Sequence, residues 1–369
     1  TFYLIIIATL MMPISSEDIK NLNTSWPLPK NKKPIILIGA GGIVNDAHLP
    51  AYKKSGFEAQ GIYDPIKEKA EKLAEEYKIK QVFSNINDAI LDNNVVYDIA
   101  VPPSELLSVV KKLPNNSVAL LQKPMGNSLE EAKEIKNIVK EKSITAAVNL
   151  QLKFSPMMLA VRDAIDKKFI GEITELEICL SVGTPWHLWP FLKDLNNVEV
   201  PLHSIHYIDW IRSVLGEPKS VYCKSVKHPN HLSLSDCRSS IILDYGEKIR
   251  CCLSLNHTHN TEFHGLKHSH AYARLEGQNG AAYIKFGLLL NYPKGEPEEV
   301  EISSRGVEWT KVNNVGSWFP DAFIGTMSNL QRFAVGEDEK LLHSIDDSYN
   351  TMTVVYACLK SNSEPGTPI

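Results

Sequence analysis

Two rhythms of apolar and polar positions alternate along the first 150 residues. Short, nearly unbroken apolar runs at Pro34–Ile38, Glu58–Tyr63, VVYDIAV, SVALLQ and SITAAVNL have the length and boundaries of strands buried on both faces. Between them lie segments with a helical stripe. Ile43–Lys54 follows the first run, and PIKEKAEKLAEEY puts Ala70, Leu73, Ala74 and Tyr77 on one face. PPSELLSVVKKL and SLEEAKEIKNIVKEK complete the series, the latter opened by Ser128 and Glu131 in capping-box spacing. Strands that alternate with helices in this way predict a parallel α/β sheet.

The texture changes after residue 152. SPMMLAVRDAIDKKFIG predicts a helix with Ser155 as its cap, Pro156 in its first turn and Gly171 as its stop. EITELEICLSV, PKSVYCKSVKH, RSSIILDYG, KIRCCLSLNHT, HAYARLEGQNG and AAYIKFG then read as strands, with DYGEK and GQNGA as tight turns between paired neighbours. Helices are expected at 203–215 and near 320–334 and 345–360. The division is therefore a leader and arm at 1–31, a Rossmann-type dinucleotide-binding domain at 32–152, and a domain with a large, mainly antiparallel sheet at 153–369.

The first strand runs into Gly39-Ala40-Gly41-Gly42 and then Ile43. Glycines at a strand-to-helix turn let the backbone approach a pyrophosphate, and the helix start offers free N–H groups to its charge. Asp64 ends the second strand, where a ribose-binding carboxylate belongs. A carboxylate there favours NAD by repelling a 2′-phosphate, while Lys67 and Lys69 leave NADP open. Asp64 also suits a cap of the following helix. Val44 occupies the third glycine position and implies a looser helix–strand approach. Because cofactors sit beyond the carboxyl ends of the strands, Val101-Pro102, Gln122-Lys123 and Asn149 with Gln151 are also candidates.

Composition narrows the function classes. A net charge of −4 with scattered basic residues gives no footprint for nucleic acid. Six cysteines without a C-x-x-C pair read as reduced, mostly buried thiols, which favours a cytoplasmic setting. TFYLIIIATLMMP is too short to span a bilayer. It lacks a basic n-region and a small-x-small cleavage site, so export is the minority reading. Residues 1–12 read as an uncertain leader, and 13–31 as an arm leading to the first domain.

GAGGIVNDAHLPAY, DIAVPPS, QKPMGNSLEEAKEI, NLQLKFSP, HSIHYIDWIRSVLGEP and LEGQNGAAYI, in this order, resemble the Gfo/Idh/MocA family of NAD(P)-dependent oxidoreductases. The resemblance runs through nearly the whole chain. It implies a Rossmann domain followed by a sheet domain often used for oligomerisation, here a homodimer or homotetramer, and a sugar or polyol substrate. Lys123 falls on the family's catalytic lysine, with Gln122 where a glutamate is usual. That glutamate would pair with the lysine or touch the cofactor. His206 falls on the catalytic histidine, with Leu202 and Ser204 in place of the usual aspartate and glycine.

The residues themselves agree with that assignment. A lysine at a strand end can polarise a hydroxyl or stabilise an alkoxide, and a histidine can take the hydroxyl proton near neutral pH. On a regular helix His203, His206 and Trp210 share a face beside the apolar stripe of Ile208, Ile211 and Leu215, with Asp209 pointing elsewhere. Asn149, Gln151, Lys153, Trp186, His203 and His257 are the substrate-side candidates; Trp309 and GSWFPDAFIG could help close the pocket. The histidines at 257, 259, 264, 268 and 270 raise the question of zinc, but without H-E-x-x-H a sugar-binding wall is the better reading, and no metal is assigned. Alternatives to a simple dehydrogenase are a redox-assisted sugar-modifying enzyme with tightly bound NAD and a non-catalytic dinucleotide-binding regulator.

Overall fold

The computed structural model describes residues 14–259, 265 and 267–369, so the leader at 1–12 and His264 lie outside the described residues. The apolar runs become β1 (Ile35–Ile38), β2 (Ala59–Tyr63), β3 (Gln81–Val82), β4 (Val96–Ile99), β5 (Val118–Leu121) and β6 (Thr145–Val148). They form one parallel sheet in the order β3-β2-β1-β4-β5-β6. Every residue of β1, β4 and β5 is buried, as continuous apolar strands between two helical layers require. Strand order reverses between β1 and β4, and the crevice at such a switch point is where these sheets bind ligands.

The second sheet contains β7 (Ile173–Ser181), β8 (Ser220–Val226), β9 (Arg238–Asp244), β10 (Arg250–Asn256), β11 (His270–Gly277), β12 (Gly280–Lys285), β13 (Glu299–Ser304) and β14 (Val307–Lys311). Its order is β14-β13-β12-β11-β7-β10-β9-β8, antiparallel except where β7 meets β10. DYGEK and GQNGA are the tight connections that the sequence predicts. At Gly280 an added Cβ would come within 2.3 Å of the Ser303 carbonyl oxygen, so the second turn admits no side chain there. Trp309 is half exposed on the edge strand β14, and so belongs to the surface rather than to a pocket lid.

Three expectations are corrected. Helix Pro156–Asp166 starts after Ser155, but that side chain makes no capping bond, and the chain turns at Lys168 (φ 62°) before it reaches Gly171. The two helices expected after Gly42 and around His203 each begin as a π turn, Val44–His48 and Val200–Ser204, before α-helix at Leu49–Ser55 and Ile205–Leu215. The arm also packs on the second domain: the Asn313 N–H donates to the Lys20 carbonyl at 2.9 Å, and the Trp26 indole N–H donates to Asp338 Oδ2 at 2.9 Å.

A buried ion cluster ties helix Ile205–Leu215 to the domain crossover and to the C-terminal helix Ile345–Ser363. Lys153 Nζ lies 3.1 Å from Asp209 Oδ2 and donates to Asp347 Oδ2 at 3.1 Å and to the Leu342 carbonyl at 2.8 Å. Asp209 also accepts from the Thr351 hydroxyl at 2.9 Å. Arg212 completes the cluster against Glu217 and Asp347, which gives the GEP segment a reason to follow this helix. Lys153 and Asp209 are 4% and 1% exposed, so neither charge has water as an alternative. Replacing Asp209 by Ala therefore takes the fully buried carboxylate from this ammonium and leaves it only Asp347 and the Leu342 carbonyl. Asp209→Ala should lower unfolding stability by about 3 kcal/mol, measured as a depressed denaturation midpoint with an unchanged denaturant slope.

Candidate active site

The glycine turn is shaped by close backbone approach. Gly39 has φ +114°, and a Cβ there would meet the Ala100 carbonyl oxygen at 2.3 Å. Gly41 and Gly42 are exposed, with no atom within 4 Å of a Cβ at Gly41. Asp64 closes the turn from β2: its Oδ2 accepts from the Ala40 N–H at 2.7 Å and its Oδ1 from the Ile66 N–H at 2.8 Å. The carboxylate is thus held at the turn, with lone pairs left for ribose hydroxyls. Val44 is fully buried and Ile43 partly so. Val101 and Pro102 leave β4 beside this turn, and Pro102 precedes helix Pro103–Lys112.

Gln122, Lys123 and Asn149 converge from the ends of β5 and β6. The Gln122 N–H donates to the Ile99 carbonyl at 2.9 Å and the Asn149 N–H to the Leu121 carbonyl at 2.7 Å. Gln122 supports Lys123 through the backbone and not through its ammonium. Its Oε1 accepts from the Lys123 N–H at 2.9 Å, which leaves its Nε2 to donate to His48 Nε2 at 3.1 Å. His48 Nδ1 in turn donates to Asp98 Oδ2 at 2.6 Å, an oxygen that also accepts from the Tyr52 hydroxyl at 2.6 Å. With Nδ1 donating to Asp98, the Nε2 of His48 is the acceptor that the Gln122 amide N–H requires.

His48 and Asp98 were not among the sequence candidates. The signal was present, because an aspartate inside the apolar strand VVYDIAV must have a buried partner.

Across the cleft, Lys123 Nζ donates to the carbonyl of Leu202 at 2.9 Å, in the π turn that carries His203. Lys123 keeps some surface, but its ammonium is enclosed, and burial pushes its pKa down to about 8. Burial holds His206 well below its ordinary value, with the Lys123 charge adding to the effect. His203 is lowered by burial first and then by positive charge on His257, Lys123 and His206. Both rings are therefore neutral near pH 7. His206 packs edge-on to Trp318 at 5.8 Å, so GSWFPDAFIG backs this histidine from within the core. Trp210 does not: it is 2% exposed, inside the main core.

His203, His257 and Trp186 form a second wall. The two imidazoles lie 4.4 Å apart, and the indole is 5.5 Å from His203 and 6.0 Å from His257. The Leu202 side chain packs into a small apolar cluster with Trp186, Leu192 and Val198. Behind the wall lies Glu199, fully buried, a residue absent from the sequence candidates. It accepts from Ser204 Oγ at 2.9 Å and from Ser239 Oγ, and its Oε1 is 3.4 Å from His257 Nε2.

Lys153 is the one substrate-side candidate whose donors are consumed elsewhere. Asn149 Oδ1 and Gln151 Oε1, by contrast, are buried acceptors without a protein partner. His257 bonds Thr184 through Nδ1, whereas His259 faces Ser181 and the Lys267 carbonyl, so these two rings diverge. Among the described residues no three histidine, cysteine, aspartate or glutamate side chains converge as a metal-ligand set. An open glycine cradle, a carboxylate fixed beside it and orphaned amide acceptors at the strand ends together fit a dinucleotide.

The profile of the Gfo/Idh/MocA oxidoreductase family, NAD-binding Rossmann fold, matches residues 33–150. Residues 33–150 are therefore similar to the NAD-binding domain of that family. A D-xylose dehydrogenase of Paenarthrobacter nicotinovorans is 23% identical over 176 residues, 43% of this chain and 44% of that protein, so the chain spans less than half the length of this curated relative. Across 90% of the chain the fold is similar to an oxidoreductase from Agrobacterium radiobacter in complex with NAD+, L-tartaric acid and magnesium, covering 97% of that chain with a TM-score of 0.73 at 17% identity. A levoglucosan dehydrogenase in complex with NADH and levoglucosan gives 0.73 at 16% identity, over 90% of this chain and 98% of that one. The second domain therefore has the fold of these enzymes as well. No helix among the described residues is long and apolar enough to cross a membrane.

Asp64 is the residue at which cofactor choice can be read. Asp64→Ser removes the carboxylate beside the glycine turn; NAD affinity should fall about tenfold while NADP affinity holds or rises, checked by fluorescence titration with both reduced dinucleotides.

Proposed function

We propose that the protein is an NAD(P)-dependent oxidoreductase that interconverts a secondary alcohol and a ketone on a sugar or polyol, with NAD as its preferred dinucleotide. The observation that carries this reading is the Lys123 ammonium, held at the carboxyl end of β5, bonded across the cleft to Leu202, and brought by burial to a pKa of about 8. Gly39, Gly41, Gly42, Ile43, Asp64, Val101, Pro102 and Gln122 would hold the dinucleotide. When bound, the dinucleotide would supply the hydride acceptor for alcohol oxidation and the hydride donor for ketone reduction.

The chain's own residues handle the proton. A general acid–base works best with a pKa near the working pH. Lys123 meets that condition, whereas His206 is held neutral. In alcohol oxidation the neutral amine of Lys123 takes the hydroxyl proton as the C–O bond gains double-bond character. In ketone reduction its ammonium gives that proton back to the oxygen. His206, whose Nδ1 has no protein partner, holds the same oxygen by a hydrogen bond. This exchanges the roles expected from the sequence, in which the histidine took the proton and the lysine polarised the hydroxyl. Asn149 and Gln151 offer their unpartnered oxygens to neighbouring hydroxyls.

A panel of sugars and polyols assayed by nicotinamide absorbance tests the reading, and an absence of turnover with both dinucleotides would overturn it. Lys123→Ala should cost about 100- to 10,000-fold in kcat and leave dinucleotide affinity within about threefold; a minor loss in kcat removes the lysine from the chemistry. The pH dependence has a defined sign. The lysine gives up its proton above about pH 8, so kcat/KM for alcohol oxidation should rise through that pH and that for ketone reduction should fall. Lys123→Met should flatten both profiles.

A further inference from the structure

A concavity of about 620 Å³ has Trp186 and His257, two members of the wall they form with His203, in its lining. Its lining includes Lys193, His187, His231, His257 and the indoles of Trp186 and Trp189, and no aspartate or glutamate among the described residues. The Trp186 indole N–H is buried and has no protein acceptor, so at least one donor in this lining awaits a partner. Thr184 and Ser233 add hydroxyls. Glu199, the carboxylate within ion-pair distance of His257, is wholly buried behind the wall and does not line the space. The wall adjoins the cleft of Lys123, because His203 packs against His257 at 4.4 Å and follows directly on Leu202, whose carbonyl accepts from the Lys123 ammonium.

We propose that this cavity receives the anionic end of the substrate, so that the protein acts on a sugar or polyol derivative bearing a carboxylate or a phosphate. A space lined by donors and one lysine, with two indole faces, complements a ligand that combines a polyoxygenated carbon chain with an acceptor-only terminus. A neutral sugar would leave the Lys193 charge and the indole N–H without acceptors of matching strength. Trp186 and Trp189 offer apolar faces to the C–H side of the chain. The reacting carbon then lies at Lys123 and His206, while the acidic terminus extends past His203 and His257. The inference rests on the oxidoreductase reading for its location, but the anion-binding step can be measured without turnover.

The full chain with bound NAD should be titrated with glucuronate, glucose 6-phosphate and glucose, with tryptophan fluorescence as the readout. At least one acidic probe should bind at least tenfold more tightly than glucose; glucuronate alone would identify a carboxylate site, glucose 6-phosphate alone a phosphate site. Lys193→Met and, separately, His231→Ala should each reduce that preference several-fold, and added salt should do the same in the unmodified protein. Equal affinity for glucose and both acids, or a preference untouched by both substitutions, overturns the proposal. If acids bind selectively but no sugar acid, sugar phosphate or neutral polyol changes nicotinamide absorbance, the anion site stands and the oxidoreductase reading falls. If neutral polyols turn over with Lys123-dependent rates and bind as well as acids, the reverse holds.

Discussion

The hydrogen bond from the Lys123 ammonium to the Leu202 carbonyl joins the two halves of the site. One end is a cation at the edge of a parallel sheet, and the other is a backbone dipole in the first turn of a helix from the second domain. Everything else in the cleft is arranged around that contact. Gln122 fixes the backbone from which the lysine projects, the His48–Asp98 pair fixes Gln122, and Asn149 faces the same imidazole from the next strand at 3.4 Å. Enclosure of the ammonium lowers its affinity for a proton, and its charge in turn opposes protonation of His203 and His206. A lysine left in water would have neither effect.

The two π turns show how local backbone geometry serves this arrangement. Each wider turn stands at the start of a helix that delivers a histidine, His48 in one and His203 in the other. π segments recur at functional sites because the extra residue re-aims side chains that a regular helix would spread at fixed angles. Here His203 turns toward Trp186 and His257, while His206, in the α-helix beyond, meets Trp318. The buried cluster of Lys153, Asp209, Arg212 and Asp347 holds that helix from behind. A lysine recruited to structure in this way is unavailable for substrate, although its place after Gln151 suits either role.

Sequence and structure agree where the physics is local. Apolar runs and helical stripes specify the parallel sheet, turn residues specify the hairpins, and the glycine turn after β1 has Asp64 bonded against it, as their places in the sequence imply. Lys123 was visible because a strand end has a known direction in such a sheet. What escaped depends on distant partners. The commitment of Lys153 is set by Asp209 and Asp347, and the burial of Trp210 by packing against the rest of the core. Glu199 has Ser204 as a local partner, but its other two, Ser239 and His257, come from β9 and from the residue just after β10, so its own segment gave no signal of its place behind the wall. The π turns also escaped, since a hydrogen-bond pattern one residue longer leaves the surrounding hydrophobic period almost unchanged.

Leu202 brings these strands of reasoning together. Judged by its side chain alone, it puts an apolar group where the resembled family has an aspartate. Yet its carbonyl is what Lys123 grips, and its side chain fills the apolar cluster beneath the Trp186 loop, where an aspartate would be buried among Leu192 and Val198. The acidic group of this region is Glu199, set deeper and satisfied by Ser204 and Ser239. Moving the negative charge away from the cleft leaves Lys123 without a competing carboxylate at short range. The leucine thus sets the charge balance of the site: a cation faces the cleft, and the carboxylate lies behind the wall of His203 and His257.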